Sequence, residues 1–415
     1  MSAARARSAL RRPSPALVRS RLRWPILASA LMALVLLWAM LAAPAWAQTA
    51  QARARAALAL GAAGSPEGRL WVTGLDERGR LFVRSTDDLG RRWSPDVLPD
   101  IGADVVAADG ESRPKLALGP EGRLALAYNR PLERPYTGEV RLIESTDGGR
   151  SWSRPITVHR DRQPIAHRFE SIAFDAQGNL HVWWIDKRDH LAAGRPGASV
   201  YRAVRLRGGA AFGPDEAVAA DSCECCRIAL LPEGEDGMAA LWRHVFPGSE
   251  RDHAFLRTRA HGPQAVPATP VRASLDRWRL QACPHHGPGL APAQGGGYHA
   301  VWFGEREGVQ SAWLGRLDAQ GAPLGSPIAL PDAAAEHADV ASLGPHVAVV
   351  WRSFDGRRTR LRAWLSDDGG ERFTLRELAD TPLSNDHPRL ARLGERWVVV
   401  WRTAREIRVE TLLHR

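Results

Sequence analysis

Ser145-Thr146-Asp147-Gly148-Gly149-Arg150-Ser151-Trp152 is the stretch whose reading decides the fold. It has the form Ser-x-Asp-x-Gly-x-x-Trp. Two further stretches keep the same spacing: Thr86-x-Asp88-x-Gly90-x-x-Trp93, and Ser366-x-Asp368-x-Gly370-x-x-Phe373, where Phe stands for Trp. An Asp side chain accepts backbone N–H bonds within a tight turn. Glycine reaches conformations closed to other residues, and a terminal aromatic needs a surface to pack on. Each stretch is therefore expected to be a structural turn, with Asp88, Asp147 and Asp368 serving folding and not catalysis.

These turns sit inside a longer repeat. Leu58-Ala59-Leu60-Gly61 leads to Leu70-Trp71-Val72, and Leu116–Gly119 leads to Leu124–Tyr128. Ile172–Asp175 leads to Val182-Trp183-Trp184, and Ile228-Ala229-Leu230 to Leu241-Trp242. Gly289–Ala291 leads to Val301-Trp302, Val340–Ser342 to Val349–Trp351, and Leu390-Ala391 to Val399–Trp401. The copies recur about every 50–59 residues, enough for four short strands each. Helical periodicity is absent and strand-like alternation with Gly/Pro turns dominates. The expected fold is an all-β propeller of four-stranded antiparallel blades. Seven repeats are counted, with six blades as the alternative. Only Ile407–Leu413 follows the last copy, so a strand from near residue 48 is expected to close the ring. Trp184, Trp242, Trp302, Trp351 and Trp401 are read as packing between blades.

With its three boxes at one repeat position, the chain resembles the sialidase-like, Asp-box (BNR-repeat) β-propeller superfamily over about residues 50–415. It is similar to exported members with Cys-x-Cys-Cys and Cys-Pro-His-His segments. The resemblance implies that the boxes lie on the outer rim, between the third and fourth strands of a blade. It also implies a pocket at one end of the axis. A true sialidase there places three arginines on the substrate carboxylate, a Tyr nucleophile assisted by a Glu, and an acidic proton donor. Planar guanidinium forks suit a carboxylate. Arg113, Arg168, Arg227 and Arg389 stand at inner-strand starts, and Glu170 is a candidate acid or base. The Arg-Ile-Pro-like opening segment is missing, however. Tyr128, Tyr136, Tyr201 and Tyr298 are the only tyrosines, and none has a nucleophile context. Little or no sialidase activity is expected. An exo-sialidase-type hydrolase of acidic sugars is the alternative.

The net charge of the 415-residue chain is +10. Seven arginines and no acid fall in residues 1–47, so the rest carries +3. That balance gives no reason to expect nucleic acid. Residues 1–47 read as a signal peptide: a basic start, an apolar run from Ile26 to Leu41, and Ala45-Trp46-Ala47 before a cleavage at Gln48. An uncleaved anchor is the alternative. Residues 48–415 are expected as one domain, periplasmic or secreted, monomeric, with no membrane span in the mature chain. The partner is expected to be a small molecule, a glycan or a metal ion.

All four cysteines precede inner strands of adjacent repeats: Cys223, Cys225 and Cys226 before the fourth, Cys283 before the fifth. Thiolate with imidazole favours copper(I) or zinc. Cys225, Cys226 and Cys283 with His285 or His286 are the expected metal ligands. Cys223, His167, His337 and His387 are further candidates. Two disulfides are an alternative reading in an oxidising compartment, and a redox-active thiol pair is a third. His253 and His261 are read as surface residues.

Overall fold

The computed structural model describes residues 58–260 and 269–414. The proposed signal peptide, the proposed ring-closing strand from near residue 48, and His261 lie outside the described residues.

The chain folds as a seven-bladed β-propeller. Seven antiparallel sheets follow one another, each a meander in chain order. Their inner strands are Gly61–Gly64, Lys115–Leu118, His167–Phe174, Ala229–Glu233, Gly289–Pro292, Ala335–Leu343 and Arg389–Leu393, which define blades 1 to 7. Among the described residues, blades 2 to 6 have four strands and blades 1 and 7 have three. In blade 1 a bridge between Val83 and Val97 stands where a fourth strand would run. Each inner strand neighbours the next, and Gly61–Gly64 of blade 1 lies against Arg389–Leu393 of blade 7, so the ring closes. The six-bladed alternative is thus set aside. The one described α-helix, Arg188–Ala192, is a short excursion of blade 3. No helix among the described residues is long and apolar enough to cross a membrane.

Why seven sheets close into a ring follows from where their apolar side chains go. A strand presents alternate residues to its two faces, and here both faces of the middle strands are apolar. Val347, Val349 and Trp351 face blade 5, packing on Ala291, Val301 and Leu314. Ala348 and Val350 face blade 7, packing on Val399 and Trp401. Seven such clusters fill the seven seams. A sheet with two apolar faces needs a neighbour on each side, which only a closed array supplies. Trp184, Trp242, Trp302, Trp351 and Trp401 all lie in these seams.

The three Ser/Thr-x-Asp-x-Gly stretches form one and the same turn. Asp147 Oδ1 accepts the N–H groups of Arg150 and Ser151 at 2.9 Å each, and the Ser145 hydroxyl at 2.8 Å. Gly149 has φ +90°, a value that strains any side chain, and an added Cβ would lie 3.2 Å from Leu124 Cδ1. Asp88 and Asp368 accept the N–H groups of Arg92 and Arg372 in the same way, at 2.9 Å. In blades 2 and 6 the turn joins the third and fourth strands. The turn of blade 2 also receives Trp71 Nε1 of blade 1 on Gly148 O at 3.0 Å, coupling rim to seam.

Removing a large seam aromatic should leave a cavity that neither blade can fill. Trp351 is fully buried, whereas Trp364 on the rim is partly exposed. Trp351→Ala is expected to cost about 3–5 kcal/mol, and Trp364→Ala less than half as much. Urea unfolding of the two variants checks the order, and equal losses would contradict the seam account.

Candidate functional site

The segments preceding the inner strands converge at one end of the axis. At their centre is Glu111, on the approach to blade 2 and only 3% exposed. Its carboxylate accepts Arg227 Nη1 of blade 4 at 2.9 and 3.1 Å, and Arg389 Nη2 of blade 7 at 3.2 Å. His337 Nδ1 of blade 6 lies 3.3 Å away, and the N–H of Gly287, before blade 5, lies at 3.5 Å. Burial alone would push this carboxyl up, but Arg227 and Arg389 outweigh it and hold Glu111 well below the usual carboxylate range.

A second buried pair stands beside it. Arg113 grips Asp386 through both forks, at 2.7 and 3.0 Å, and also donates to Leu60 O at 3.0 Å. The N–H of Leu60 returns to Asp386 Oδ2 at 2.9 Å. Blades 1, 2 and 7 are thereby tied at their meeting point. Lys115 Nζ donates to the carbonyls of Glu111 and Arg113 at 3.1 and 3.2 Å. Glu170 is fully buried, and neither of its carboxylate oxygens has a hydrogen-bond partner in the protein. Burial pushes Glu170 up, opposed by the Lys115 charge, and burial pushes Lys115 down, opposed by Glu170.

Two β-bulges aim these groups. The inner strand of blade 3 slips register between Arg168 and Ser171, and that of blade 6 between Glu336 and Asp339. Inside them Phe169 and His337 take φ +56° and +54°, uncommon for residues with side chains. Bulges re-aim side chains at the ends of strands. Here they bring Glu170 beside Lys115 and His337 onto Glu111. His337 is the middle of a stack: His286 lies 4.1 Å from it at 2°, and His387 lies 3.2 Å from it at 12°. Phe303 covers the outer face of His286 at 4.4 Å.

The cysteines form a separate group. Cys223, Cys225 and Cys226 are buried, with Sγ separations of 3.6, 3.7 and 3.9 Å. Cys283, on an exposed segment, lies close enough to Cys223 and Cys225 for the thiols to influence one another. All four are unbridged. Arg251 Nη1 points at Cys223 Sγ from 3.5 Å.

The sequence-nominated residues thus divide. Cys223, Cys225 and Cys226 come together, with the exposed Cys283 nearby. His286, His337 and His387 come together around Glu111, apart from the thiols. His285 is exposed, with φ +56°. His167 is buried inside blade 3, stacked on His159 at 3.8 Å and 3.6 Å from Asp186. Arg113, Arg227 and Arg389 reach the axis but are clasped by protein carboxylates. Arg168 lies half-buried over the Phe169 ring, with no carboxylate within 4 Å among the described residues. His253 is a correction: it is 1% exposed, not a surface residue, because its strand pairs centrally in blade 4 and its ring packs beside Trp302.

None of the four tyrosines joins the arginines. Tyr128, Tyr201 and Tyr298 bond Asp104, Asp189 and Glu233, and Tyr136 is exposed. Glu111, Lys115 and Asp386 were not nominated from sequence. Their signal is position: Asp109-Gly110-Glu111-Ser112-Arg113 and Asp386-His387 stand just before inner strands, where the cysteines also stand.

The sequence matches no family model and no curated protein. Solved structures do match in fold. A lectin from Burkholderia pseudomallei superposes with a TM-score of 0.59 at 13% identity, covering 86% of this chain and 96% of the lectin. An ulvan lyase, a polysaccharide lyase, gives 0.55 at 11% identity, covering 86% of this chain and 93% of the lyase. At such identities the likeness is one of propeller fold.

The buried histidines and Glu111 set a pH dependence. Burial pushes His337 down to about 4 despite Glu111 beside it, and Glu111 itself is depressed. The unfolded chain protonates His near pH 6.5 and Glu near pH 4.3. It therefore binds more protons than the fold below about pH 6.5. The contribution of the buried histidines and Glu111 to stability should be full above that pH and fall steadily toward pH 4. Urea midpoints measured from pH 7.5 to 4 check this, and a flat profile would contradict the buried network.

Proposed function

We propose that this is an exported, monomeric propeller that binds a small acidic sugar at its axial mouth and does not hydrolyse sialosides. The observation that carries the reading is Arg168, a half-buried guanidinium at the mouth with no carboxylate within 4 Å among the described residues, Asp109 and Glu170 acting on it only through space. A cation so placed is a ready partner for a ligand carboxylate. Glu170 supports the reading. A buried carboxyl without partners costs free energy, and the hydroxyls of a sugar ring are suitable donors. Lys115 stands beside it as a further donor. The glycan-directed lectin and lyase that share the fold support the ligand class as analogy only.

The case against sialidase chemistry is a matter of occupancy. Three arginines of such a site must be free to grip the substrate, yet Arg113, Arg227 and Arg389 already hold Asp386 and Glu111. Opening those buried pairs for a substrate would leave two carboxylates unpaired, at a cost of several kcal/mol each. No tyrosine is at hand to serve as nucleophile.

Oligogalacturonate binding, measured by calorimetry, tests the reading. Arg168→Ala and Glu170→Gln are each expected to weaken binding about tenfold or more, the worth of one charge-assisted hydrogen bond. A fluorogenic sialoside should not be turned over. Unchanged affinity in Arg168→Ala, or efficient sialoside hydrolysis lost in Arg113→Ala, would overturn it.

A further inference from the structure

We propose that Cys223, Cys225, Cys226 and Cys283 bind one zinc(II) ion through four thiolates, making a closed tetrahedral staple between the approaches to blades 4 and 5. This stands apart from the acidic-sugar reading and does not depend on it.

The geometry of the sulfurs carries the proposal. Cys223, Cys225 and Cys226 form a nearly equilateral triangle with edges of 3.6, 3.7 and 3.9 Å. Thiolates about 2.3 Å from a tetrahedral zinc stand about 3.8 Å from one another. A disulfide would need two of them at about 2.05 Å, well inside the separations seen here. The fourth vertex is assigned to Cys283 on the approach to the next blade, whose thiol lies close enough to Cys223 and Cys225 to perturb them. The backbone is bent to make the triangle: Asp221 has φ +58°, and the N–H of Cys223 is fixed on Arg243 O at 3.0 Å.

The surroundings suit such an ion. Four thiolates on a dication leave two negative charges in a buried place, which need a nearby cation. Arg251 Nη1 directs an N–H at Cys223 Sγ, the outer-sphere contact that orients a ligand and offsets its charge. Binding releases one proton from each thiol that carries one, to solvent. Imidazole is not required to complete the set. His286 is committed to the ring stack, its Nδ1 3.3 Å from the His337 N–H, and His285 is exposed. Four protein sulfurs leave no open position, so the ion holds structure and performs no hydrolysis.

What the staple holds is specific. Cys226 is followed by Arg227, and Cys283 is four residues before Gly287; both Arg227 and Gly287 reach Glu111. The two segments touch so closely that a Cβ on Gly287 would lie 2.1 Å from Arg227 Cγ. A metal joining them fixes the two donors that blades 4 and 5 contribute to the axis.

The test uses the full chain, exported and purified without reductant or chelator. Elemental analysis should find one zinc per chain. X-ray absorption at the zinc edge should find sulfur alone in the inner shell, at about 2.3 Å. Cys226→Ser should lower zinc content at least tenfold. Should that variant fail to fold, the absorption spectrum of the unaltered protein still decides. Disulfides without metal, nitrogen in the shell, copper in place of zinc, or full zinc retention in Cys226→Ser would each overturn the proposal.

Discussion

One carboxylate on the axis organises this molecule. Glu111 is carried by blade 2 and meets donors from blades 4, 5, 6 and 7. A propeller is held around its circumference by apolar seams, and those seams are local: each joins only neighbours. Glu111 is different, because its contacts cross the ring. A buried charge is expensive unless paired and hydrogen-bonded. The pairing is complete only when five blades, blade 2 and the four that supply donors, are in place together, so the network rewards the closed ring. Arg113 and Asp386 do the same work at the point where blade 7 returns to blades 1 and 2.

This internal pairing also shapes what the mouth can do. Arginine at inner-strand starts suggests a grip on substrate carboxylates, and here three of those arginines grip the protein instead. Arg168 has no carboxylate within 4 Å among the described residues, and the Glu170 carboxylate has no hydrogen-bond donor. Both stand in blade 3, at the bulge that holds Phe169 in a strained conformation. Strain of that kind persists where surrounding structure over-determines it, and it gathers at sites of binding.

Much of the fold is legible in the chain. The Ser-x-Asp-x-Gly-x-x-Trp turns and the Val- and Trp-rich second strands repeat with a period that only a blade explains. Both depend on local sequence, so a linear reading finds them. The site was partly legible. The four cysteines and the arginines at strand starts announce themselves by residue type and repeat position. Glu111 does not, because an acid in a loop before a strand is ordinary until Arg227 and Arg389 are seen to converge on it from 116 and 278 residues away. The separation of imidazoles from thiols was equally hidden. It depends on the bulge at His337 and on the stacking of His286 against Phe303, neither of which has a sequence signature.

The central claim is that Glu111 and its arginines form one energetic unit across the axis, and a double-mutant cycle tests it. Urea unfolding would be measured for the unaltered protein, Glu111→Gln, Arg227→Met and the double variant. Glu111→Gln strands Arg227 and Arg389, and Arg227→Met leaves Glu111 with Arg389 alone; each should cost about 3–5 kcal/mol, whereas the double variant strands only Arg389. The account predicts a double variant about as stable as either single one, or more so. Costs that simply add would contradict it.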